Sequence, residues 1–215
     1  MIECPSCGRR QEPRLICADC GSPLSAEIDC FAALDIPQKL ALELPALERI
    51  YHELSRKVHP DRFASSAVAV RDASLRATAL LTRSYRTLRD PIARGLYWLE
   101  LHGEKLAENN KNVPPDLAEL VFDVQEHLAE LRDVVGNGDS FNKLATQVSE
   151  KRTEVQALMD EGLGELERNF ARWDTSKAAQ ESMLKLELKA ILSKIAYLRT
   201  LLRDVDRALE GSQAA

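Results

Sequence analysis

Apolar residues recur at helical spacing along most of the chain. The segment LPALERIYHELSRKVH carries apolar or aromatic side chains that share one helix face: Leu47, Ile50, Tyr51, Leu54 and Val58. Pro60 then stops this helix, because proline has no backbone N–H for the next turn. Two further helices are predicted, one from AVRDASLRATALLTRSYRTLRDP, which ends before Pro91, and one from PIARGLYWLELHG, which ends at Gly103.

The last hundred residues predict three long helices. The first carries the apolar stripe Leu117, Leu120, Val121, Val124, Leu128 and Leu131. The segment GNGD at residues 136–139 separates it from a second helix at residues 141–173, in which Gly162 and Gly164 allow a bend. The third, from about Thr175, carries the seam Leu184, Leu188, Ile191, Ile195, Leu198, Leu202, Val205 and Leu209. We favour an intramolecular three-helix bundle over a coiled-coil dimer, because it explains the first two stripes as well.

Length and composition divide this predominantly helical chain into three pieces. Only 5% of its 215 residues are aromatic, while 29% are charged, which suits an all-α protein. Residues 1–28 are too few to bury a core without a metal or a cross-link. Residues 29–105 hold the shorter helices and residues 114–210 hold the long ones. The segment AENNKNVPPD, at residues 107–116, has the composition of a linker.

The charge pattern indicates two surfaces for two partners. The net charge of −5 is unevenly distributed: it is −2 for residues 1–29, +3 for residues 30–113 and −6 for residues 114–215. No piece is basic enough to predict nucleic-acid binding. No apolar run approaches the roughly 20 residues that span a bilayer, and the first ten residues lack a secretory signal. We therefore expect a cytoplasmic protein without a membrane partner.

Two Cys-x-x-Cys pairs near the start of the chain predict a metal site. A two-residue gap lets a tight turn direct both sulfurs at one ion, and Gly8 and Gly21 permit such a turn. Together the pairs form a closed tetrahedral site, typical of structural zinc, with the ligands Cys4, Cys7, Cys17 and Cys20. Rubredoxin-type iron is less favoured, because nothing in the sequence resembles a site for an electron-transfer partner. A redox-active dithiol is also less favoured, because it would need only one of the two cysteine pairs. The fifth cysteine, Cys30, fits a small buried apolar residue.

The turn His59-Pro60-Asp61 has three possible explanations. It could be a simple helix end, an acid–base or metal-binding pair, or a recognition turn displayed to another protein. Three other histidines lie on separate predicted elements without ligand spacing: His52, His102 and His127. The chain has neither a glycine-rich phosphate loop nor a nucleophile motif, so we do not expect an enzyme.

These residues carry a resemblance to a known family. YHELSRKVHPDRF followed by SYRTLRDP resembles the J-domain of DnaJ-like co-chaperones. The wider pattern resembles the HscB-type co-chaperones of iron–sulfur cluster biogenesis across residues 29–210. It consists of the segments DCFAALDIP, HPDRFA and RTLRDPIARGLYWLELHG, followed by a C-terminal three-helix domain. The Cys4 knuckle resembles an extension of some members, notably mitochondrial ones, which implies the mitochondrial matrix if the source is eukaryotic.

The resemblance implies two protein partners. In J-domains the His-Pro-Asp turn and the basic face of the preceding helix contact a DnaK-type chaperone and accelerate its ATP hydrolysis. The matching residues here, for an HscA-like chaperone, are His59, Pro60, Asp61, Arg49, His52, Arg56 and Lys57. The family's apolar, acid-rimmed patch for an IscU-type scaffold matches Phe122, Asp123, Glu126, Glu130 and Tyr197.

The expected protein is therefore a non-enzymatic co-chaperone with an N-terminal Cys4 zinc knuckle, a helical J-domain and a C-terminal three-helix bundle. Two alternatives remain open from the sequence. One is a J-domain co-chaperone whose zinc module binds a different client. The other is a zinc-dependent nucleic-acid adaptor, which the acidic C-terminal piece disfavours because phosphates repel carboxylates.

Overall fold

The structure, a computed structural model, describes residues 1–106, 113–134 and 138–213. The chain forms two compact units, Met1–Trp98 and Leu99–Ala215. Residues 107–112 of the predicted linker and residues 136–137 of the predicted helix break lie outside the described residues. The predicted domain limits at residues 28, 105 and 114 remain predictions. Among the described helices, none has both the length and the apolar character needed to cross a membrane.

The first unit begins with a small β-hairpin. Strand β1 (Ile2–Glu3) pairs antiparallel with β2 (Arg10–Gln11), so that Ile2 lies opposite Gln11. Behind the hairpin, Cys4, Cys17 and Leu24 form a separate buried cluster against which Ile2 packs. This cluster is far smaller than a normal domain core, so the segment depends on additional stabilisation.

Four helices follow the hairpin: α1 (Cys30–Ala33), α2 (Leu44–Val58), α3 (Val68–Arg89) and α4 (Pro91–Leu101), the last of which continues past the end of the first unit at Trp98. The last three lie where the apolar pattern predicts them. In the core of this unit, the helical residues Phe31, Leu81 and Leu88 are fully buried, as are Leu34 and Leu40 between α1 and α2. Cys30 is buried too, which confirms its assignment as a core residue.

Helices α2 and α3 are joined by an aromatic stack. The rings of Tyr51 and Tyr85 lie 4.2 Å apart and only 11° from parallel. The guanidinium of Arg89 lies over the Tyr85 ring at 5.8 Å from its centroid. Stacked rings and cation–π contacts each add attraction beyond the area they bury. The stack therefore fixes the two helices that flank the His-Pro-Asp turn.

The second unit contains the three predicted long helices: α5 (Ala118–Asp133), α6 (Asp139–Thr175) and α7 (Ala178–Gln213). Leu117, the first residue of the predicted stripe, lies in a 3₁₀ turn, Pro115–Leu117, that leads into α5. One buried cluster joins the three helices and consists of Leu117, Leu120, Val121, Val124, Leu128, Leu131, Val148, Val155, Leu198, Leu201 and Val205. An all-α fold with a C-terminal helical bundle is thus confirmed.

The buried face of α7 departs from the predicted seam at two positions. Leu192 and Leu201 are buried, whereas their neighbours Ile191 and Leu202, which the seam includes, are only partly buried. Leu201 belongs to the buried cluster that joins α5, α6 and α7, and Leu202 packs against the same cluster. The buried face of α7 is therefore wider there than a single seam.

Gly162 lies where α6 and α7 approach closely. A Cβ atom built there would lie 3.2 Å from Cγ1 of Ile195, a branched side chain that is fully buried on α7. Replacing Gly162 by valine is therefore expected to lower the free energy of unfolding by about 1–3 kcal/mol, because the added methyl groups overpack the contact. Urea unfolding of the wild type and the variant measures this loss.

Gly164 provides the matched control for this substitution. A Cβ atom at Gly164 would meet only the guanidinium end of Arg168, which can move aside. Gly164→Ala should raise the free energy of unfolding, by up to about 1 kcal/mol, because alanine favours the helix. Equal losses for both variants would mean that the close approach at Gly162 does not control packing of this pair of helices.

Candidate functional site

The four cysteines of the two pairs converge on one point. Their Sγ atoms all lie within 4.8 Å of one another, with 3.6 Å from Cys4 to Cys20 and 3.8 Å from Cys7 to Cys17. Tetrahedral coordination of a metal ion by four sulfurs at about 2.3 Å requires sulfur–sulfur distances of about 3.8 Å. The cluster therefore fits one metal ion with four sulfur ligands and no open coordination position, which is a structural and not a catalytic arrangement.

The two halves of this site are built alike. In each half, the glycine that follows the second cysteine donates its N–H to the carbonyl of the first, at 2.9 Å from Gly8 to Cys4 and 3.0 Å from Gly21 to Cys17. Both glycines have positive φ angles, 69° and 73°, which side chains disfavour. The sequence prediction that these glycines form the turns is confirmed. Each half buries its first cysteine and exposes its second.

One residue of the metal site was missed by the sequence analysis. The Gln11 side chain donates from Nε2 to Cys17 Sγ at 3.0 Å, and its Oε1 accepts the Ala18 N–H at 3.1 Å. A hydrogen bond to a thiolate fixes the orientation of that sulfur toward a metal ion, as outer donors do in other metal sites. The only sequence signal is a polar side chain on β2 close to the two cysteine turns.

The sulfurs perturb one another's ionisation. Hydrogen bonds from the Ser22 side chain and backbone lower the pKa of the Cys20 thiol to about 6. At Cys17, burial acts upward, but neighbouring amide donors outweigh it and the pKa is lowered. A backbone hydrogen bond from Arg9 favours the Cys7 thiolate, yet lost hydration and the other sulfurs raise the pKa of Cys7 to about 12. An ion bound by all four sulfurs as thiolates would therefore displace the proton from Cys7.

The His-Pro-Asp turn projects from the end of α2. Pro60 occupies the first position of a 3₁₀ turn, Pro60–Phe63, and forces the chain out of the helix. The turn is held locally, since the Asp61 N–H donates to Nδ1 of His59 at 3.3 Å and the Arg62 N–H donates to the His59 carbonyl at 3.1 Å. The side chains of His59 and Asp61 remain exposed.

This geometry does not support acid–base chemistry at the turn. His59 Nδ1 and Asp61 Oδ2 are 3.6 Å apart, which exceeds the reach of a hydrogen bond. Nδ1 is already an acceptor for the Asp61 N–H, so a neutral ring carries its proton on Nε2. Both side chains are exposed to solvent. The turn is suited to be bound by a partner.

A basic face lies on the helix that leads into the turn. Arg49, His52, Arg56 and Lys57 are all exposed. His52 Nε2 lies 3.8 Å from Glu48 Oε1, but within the described part of the chain no carboxylate pairs with the other three side chains. Cations without an internal partner keep their attraction for an acidic surface elsewhere. The structure thus brings the seven predicted chaperone-binding residues onto one helix and its turn.

The predicted scaffold surface is centred on α5. Phe122 leaves 68% of its surface exposed, an unusual exposure for a phenylalanine. Glu126 follows it by four residues and Glu130 by eight, so all three share one side of the helix, and both carboxylates are exposed. An exposed ring bordered by carboxylates suits a partner with apolar and basic side chains.

The other two predicted scaffold residues are more engaged within the protein. Lys151 Nζ lies 3.1 Å from Asp123 Oδ2, so this carboxylate already has a cation beside it. Tyr197 is half-buried and packs against the bundle core, whereas the sequence places it off the apolar seam. Within the described residues, no ring contact joins Tyr197 to Phe122. The assignments of Asp123 and Tyr197 to the scaffold surface remain predictions. Phe122, Glu126 and Glu130 are more exposed to solvent than these two residues.

Comparison with known proteins places this arrangement in a family. No family model matches the chain. A curated co-chaperone protein HscB homolog of Paraburkholderia phymatum is 30% identical over 137 residues, which cover 61% of this chain and 78% of that protein. The homolog of Chromobacterium violaceum is 28% identical over 133 residues, which cover 61% and 76%.

Solved structures share the fold. The human co-chaperone protein HscB matches with a TM-score of 0.69 at 23% identity, over 95% of this chain and 97% of that one. The chaperone HscB of Vibrio cholerae matches with a TM-score of 0.59 at 20% identity, over 84% and 96%. The relatives are co-chaperones and not enzymes, as the sequence predicts for this protein. The chain belongs to the HscB family of J-type co-chaperones of iron–sulfur cluster biogenesis.

Proposed function

We propose that this protein holds an IscU-type scaffold on its C-terminal bundle and presents it to a DnaK-type, HscA-like chaperone. The contact with the chaperone is made by the His59-Pro60-Asp61 turn and stimulates ATP hydrolysis. The observation that carries the proposal is the turn itself: an exposed histidine and aspartate held by hydrogen bonds at the end of a helix with a basic face.

The charges of the two units support the proposal that each unit binds a different partner. On α2, Arg49, Arg56 and Lys57 have no carboxylate partner among the described residues, which favours an acidic chaperone surface. On α5, an exposed ring lies among carboxylates, which favours a scaffold surface with apolar and basic side chains. The two surfaces therefore favour partners of different charge.

Structural zinc is the metal we propose for the Cys4 site. Four sulfurs in two matching turns, without an open position, are typical of zinc knuckles. Bound zinc supplies a positive charge that four thiolates share. The residues that hold it are the four cysteines, with the Gln11 amide fixing the orientation of Cys17.

The test is the ATPase rate of the host's DnaK-type chaperones, measured with and without this protein and the IscU-type scaffold. Stimulation that rises further when scaffold is added supports the proposal. Stimulation that does not change when scaffold is added would support the J-domain but indicate a different client. Deletion of residues 1–28 would then test whether the zinc module binds that client. The absence of any stimulation would refute the chaperone contact.

Phe122→Ala is expected to weaken scaffold binding at least tenfold, which corresponds to about 1.4 kcal/mol of binding free energy. An exposed aromatic ring at the centre of an interface contributes much of its affinity, and its loss should not disturb folding because most of the ring lies outside the core. Isothermal titration calorimetry with the purified scaffold measures the change. Chaperone stimulation without scaffold should be unaffected.

Leu186 offers a matched control for the Phe122 substitution. It is an apolar residue on α7 with the same 68% exposure, but it lies outside the predicted scaffold surface. Leu186→Ala should leave the affinity within twofold of the wild type. If both variants bind the scaffold normally, the scaffold surface has been placed wrongly. Tyr197→Ala is a poorer probe, because this side chain also packs against the core.

A further inference from the structure

The carbonyl of Val58 lies directly before the His-Pro-Asp turn and lacks its usual helical hydrogen bond. Val58 is the last residue of α2 and is fully buried. A continuing α-helix would supply the N–H of residue 62 to this carbonyl, but the Arg62 N–H donates to the His59 carbonyl instead. Because a buried carbonyl without a donor is costly, the Val58 oxygen needs a partner from elsewhere in the fold.

Two hydroxyl groups of α3 supply that partner. Ser74 Oγ donates to the Val58 carbonyl at 2.6 Å, and Thr78 Oγ1 donates to the same oxygen at 3.3 Å. The two residues are four apart, so their side chains lie one turn above the other on the same face of α3. Ser74 is fully buried, which shields its hydrogen bond from water.

This use of hydroxyls is unlike that on the long helices of the second unit. There, threonine hydroxyls bond to carbonyls four residues earlier in their own helix, as at Thr146, Thr153, Thr175 and Thr200. That local bond is the usual choice for threonine within a helix. Ser74 and Thr78 instead reach across to another helix, sixteen and twenty residues away in sequence.

The arginine of the turn bonds to the same end of α2. Arg62 NH1 donates to the carbonyl of Arg56, two residues before Val58, at 3.1 Å. Two of the last carbonyls of α2 are thus bonded to side chains. The Val58 carbonyl shares its planar peptide group with the nitrogen of His59, so fixing this oxygen fixes the plane from which the turn starts.

We propose that Ser74 and Thr78 are positioning residues for the His-Pro-Asp turn: their hydroxyls hold the Val58 carbonyl, and thereby the orientation in which His59 is presented to the chaperone. The proposal rests on the function proposed above for the turn. Neither residue belongs to the predicted binding surface, and the sequence analysis assigned a role to neither. Their contribution lies in the angle of the turn and not in direct contact with the partner.

The test combines two substitutions that remove both donors, Ser74→Ala and Thr78→Val, in the full-length protein. The double variant should lower the maximal stimulation of the chaperone's ATPase about tenfold, because the turn no longer keeps one orientation. The concentration that gives half-maximal stimulation should change less than twofold, because the basic face of α2 is intact. Thr78→Val alone removes only the longer bond and should show a smaller loss of the same kind.

Amide hydrogen exchange separates positioning from a general loss of stability. In the double variant, exchange at the amides of Asp61 and Arg62 should speed up about tenfold, while amides in the middle of α3 keep their protection. Ser84→Ala is the matched control: this serine is also fully buried on α3, but its hydroxyl has no hydrogen-bond partner in the described part of the chain. It should change neither measurement. Thr78→Ser, which keeps the hydroxyl, should also behave as wild type.

Three outcomes would overturn the proposal. One is a double variant with normal maximal stimulation and normal exchange at the turn. Another is a loss of protection spread evenly over the first unit, which would indicate stability alone. The third is a loss of apparent affinity with unchanged maximal stimulation. If the wild type stimulates no chaperone, the proposed function fails, but exchange at Asp61 and Arg62 still decides whether the hydroxyls hold the turn.

Discussion

Replacing His59 by glutamine is expected to abolish stimulation of the chaperone's ATPase, with the rate returning to its basal value. The ring is exposed, so the free energy of unfolding should change by no more than about 0.5 kcal/mol. Glutamine lacks the flat ring in which Nδ1 accepts the Asp61 N–H while Nε2 remains a donor. Phosphate release at saturating co-chaperone concentration measures the effect.

A second histidine on the same helix gives the comparison. His52 is similarly exposed, but it belongs to the basic face and not to the turn. His52→Gln should raise the half-maximal concentration by no more than about threefold, as exposed charges contribute less than about 1 kcal/mol each, and leave maximal stimulation unchanged. If His59→Gln stimulates normally, the J-type mechanism does not operate in this protein.

Removal of the metal is expected to unfold residues 1–28 while leaving the helices intact. The buried cluster of this segment contains only Cys4, Cys17 and Leu24, which cannot offset the entropy lost on folding. Metal binding to four thiolates contributes about 10–16 kcal/mol in comparable small sites. Cys17→Ser, or treatment with a strong chelator, should therefore collapse the spread of amide NMR signals from this segment and leave the helical circular dichroism unchanged.

Cys30 is the control for this experiment. It is a buried cysteine outside the metal cluster, and its backbone N–H donates to the Tyr97 hydroxyl at 2.9 Å, a bond that substitution of the side chain preserves. Cys30→Ala should retain one metal ion per chain by elemental analysis, which also identifies zinc or iron. A segment that keeps its dispersed NMR signals without metal would show that the ion is not what stabilises it.

Much of the fold follows from local patterns in the sequence. The apolar stripe that ends at Val58, the proline after it and the glycines after each cysteine pair all act within a few residues, and the structure places α2 and both turns accordingly. Such signals are strong because the backbone itself enforces them, through a missing N–H or a positive φ angle.

The remaining features depend on which distant residues meet, which a single sequence does not reveal. Asp123 looks like an open carboxylate on a helix surface, but Lys151, 28 residues later, pairs with it. Gln11 and Ser74 look like ordinary polar residues, and only folding brings them to Cys17 and to the Val58 carbonyl. Their roles come from tertiary neighbours and not from helical periodicity.

The long hairpin of α6 and α7 has a mechanical consequence. With 37 and 36 residues, these helices are about 55 Å long, whereas the buried cluster shared with α5 involves α6 only around Val148 and Val155. Asp123 on α5 contacts Lys151, and α6 continues from there to Thr175, so at 1.5 Å per residue a scaffold bound beside Asp123 would lie roughly 35 Å from the α6–α7 turn. Ion pairs between Arg152 and Asp206 and between Arg172 and Glu187 brace both ends. The hairpin thus forms a stiff spacer between this surface of α5 and the turn that joins α6 to α7.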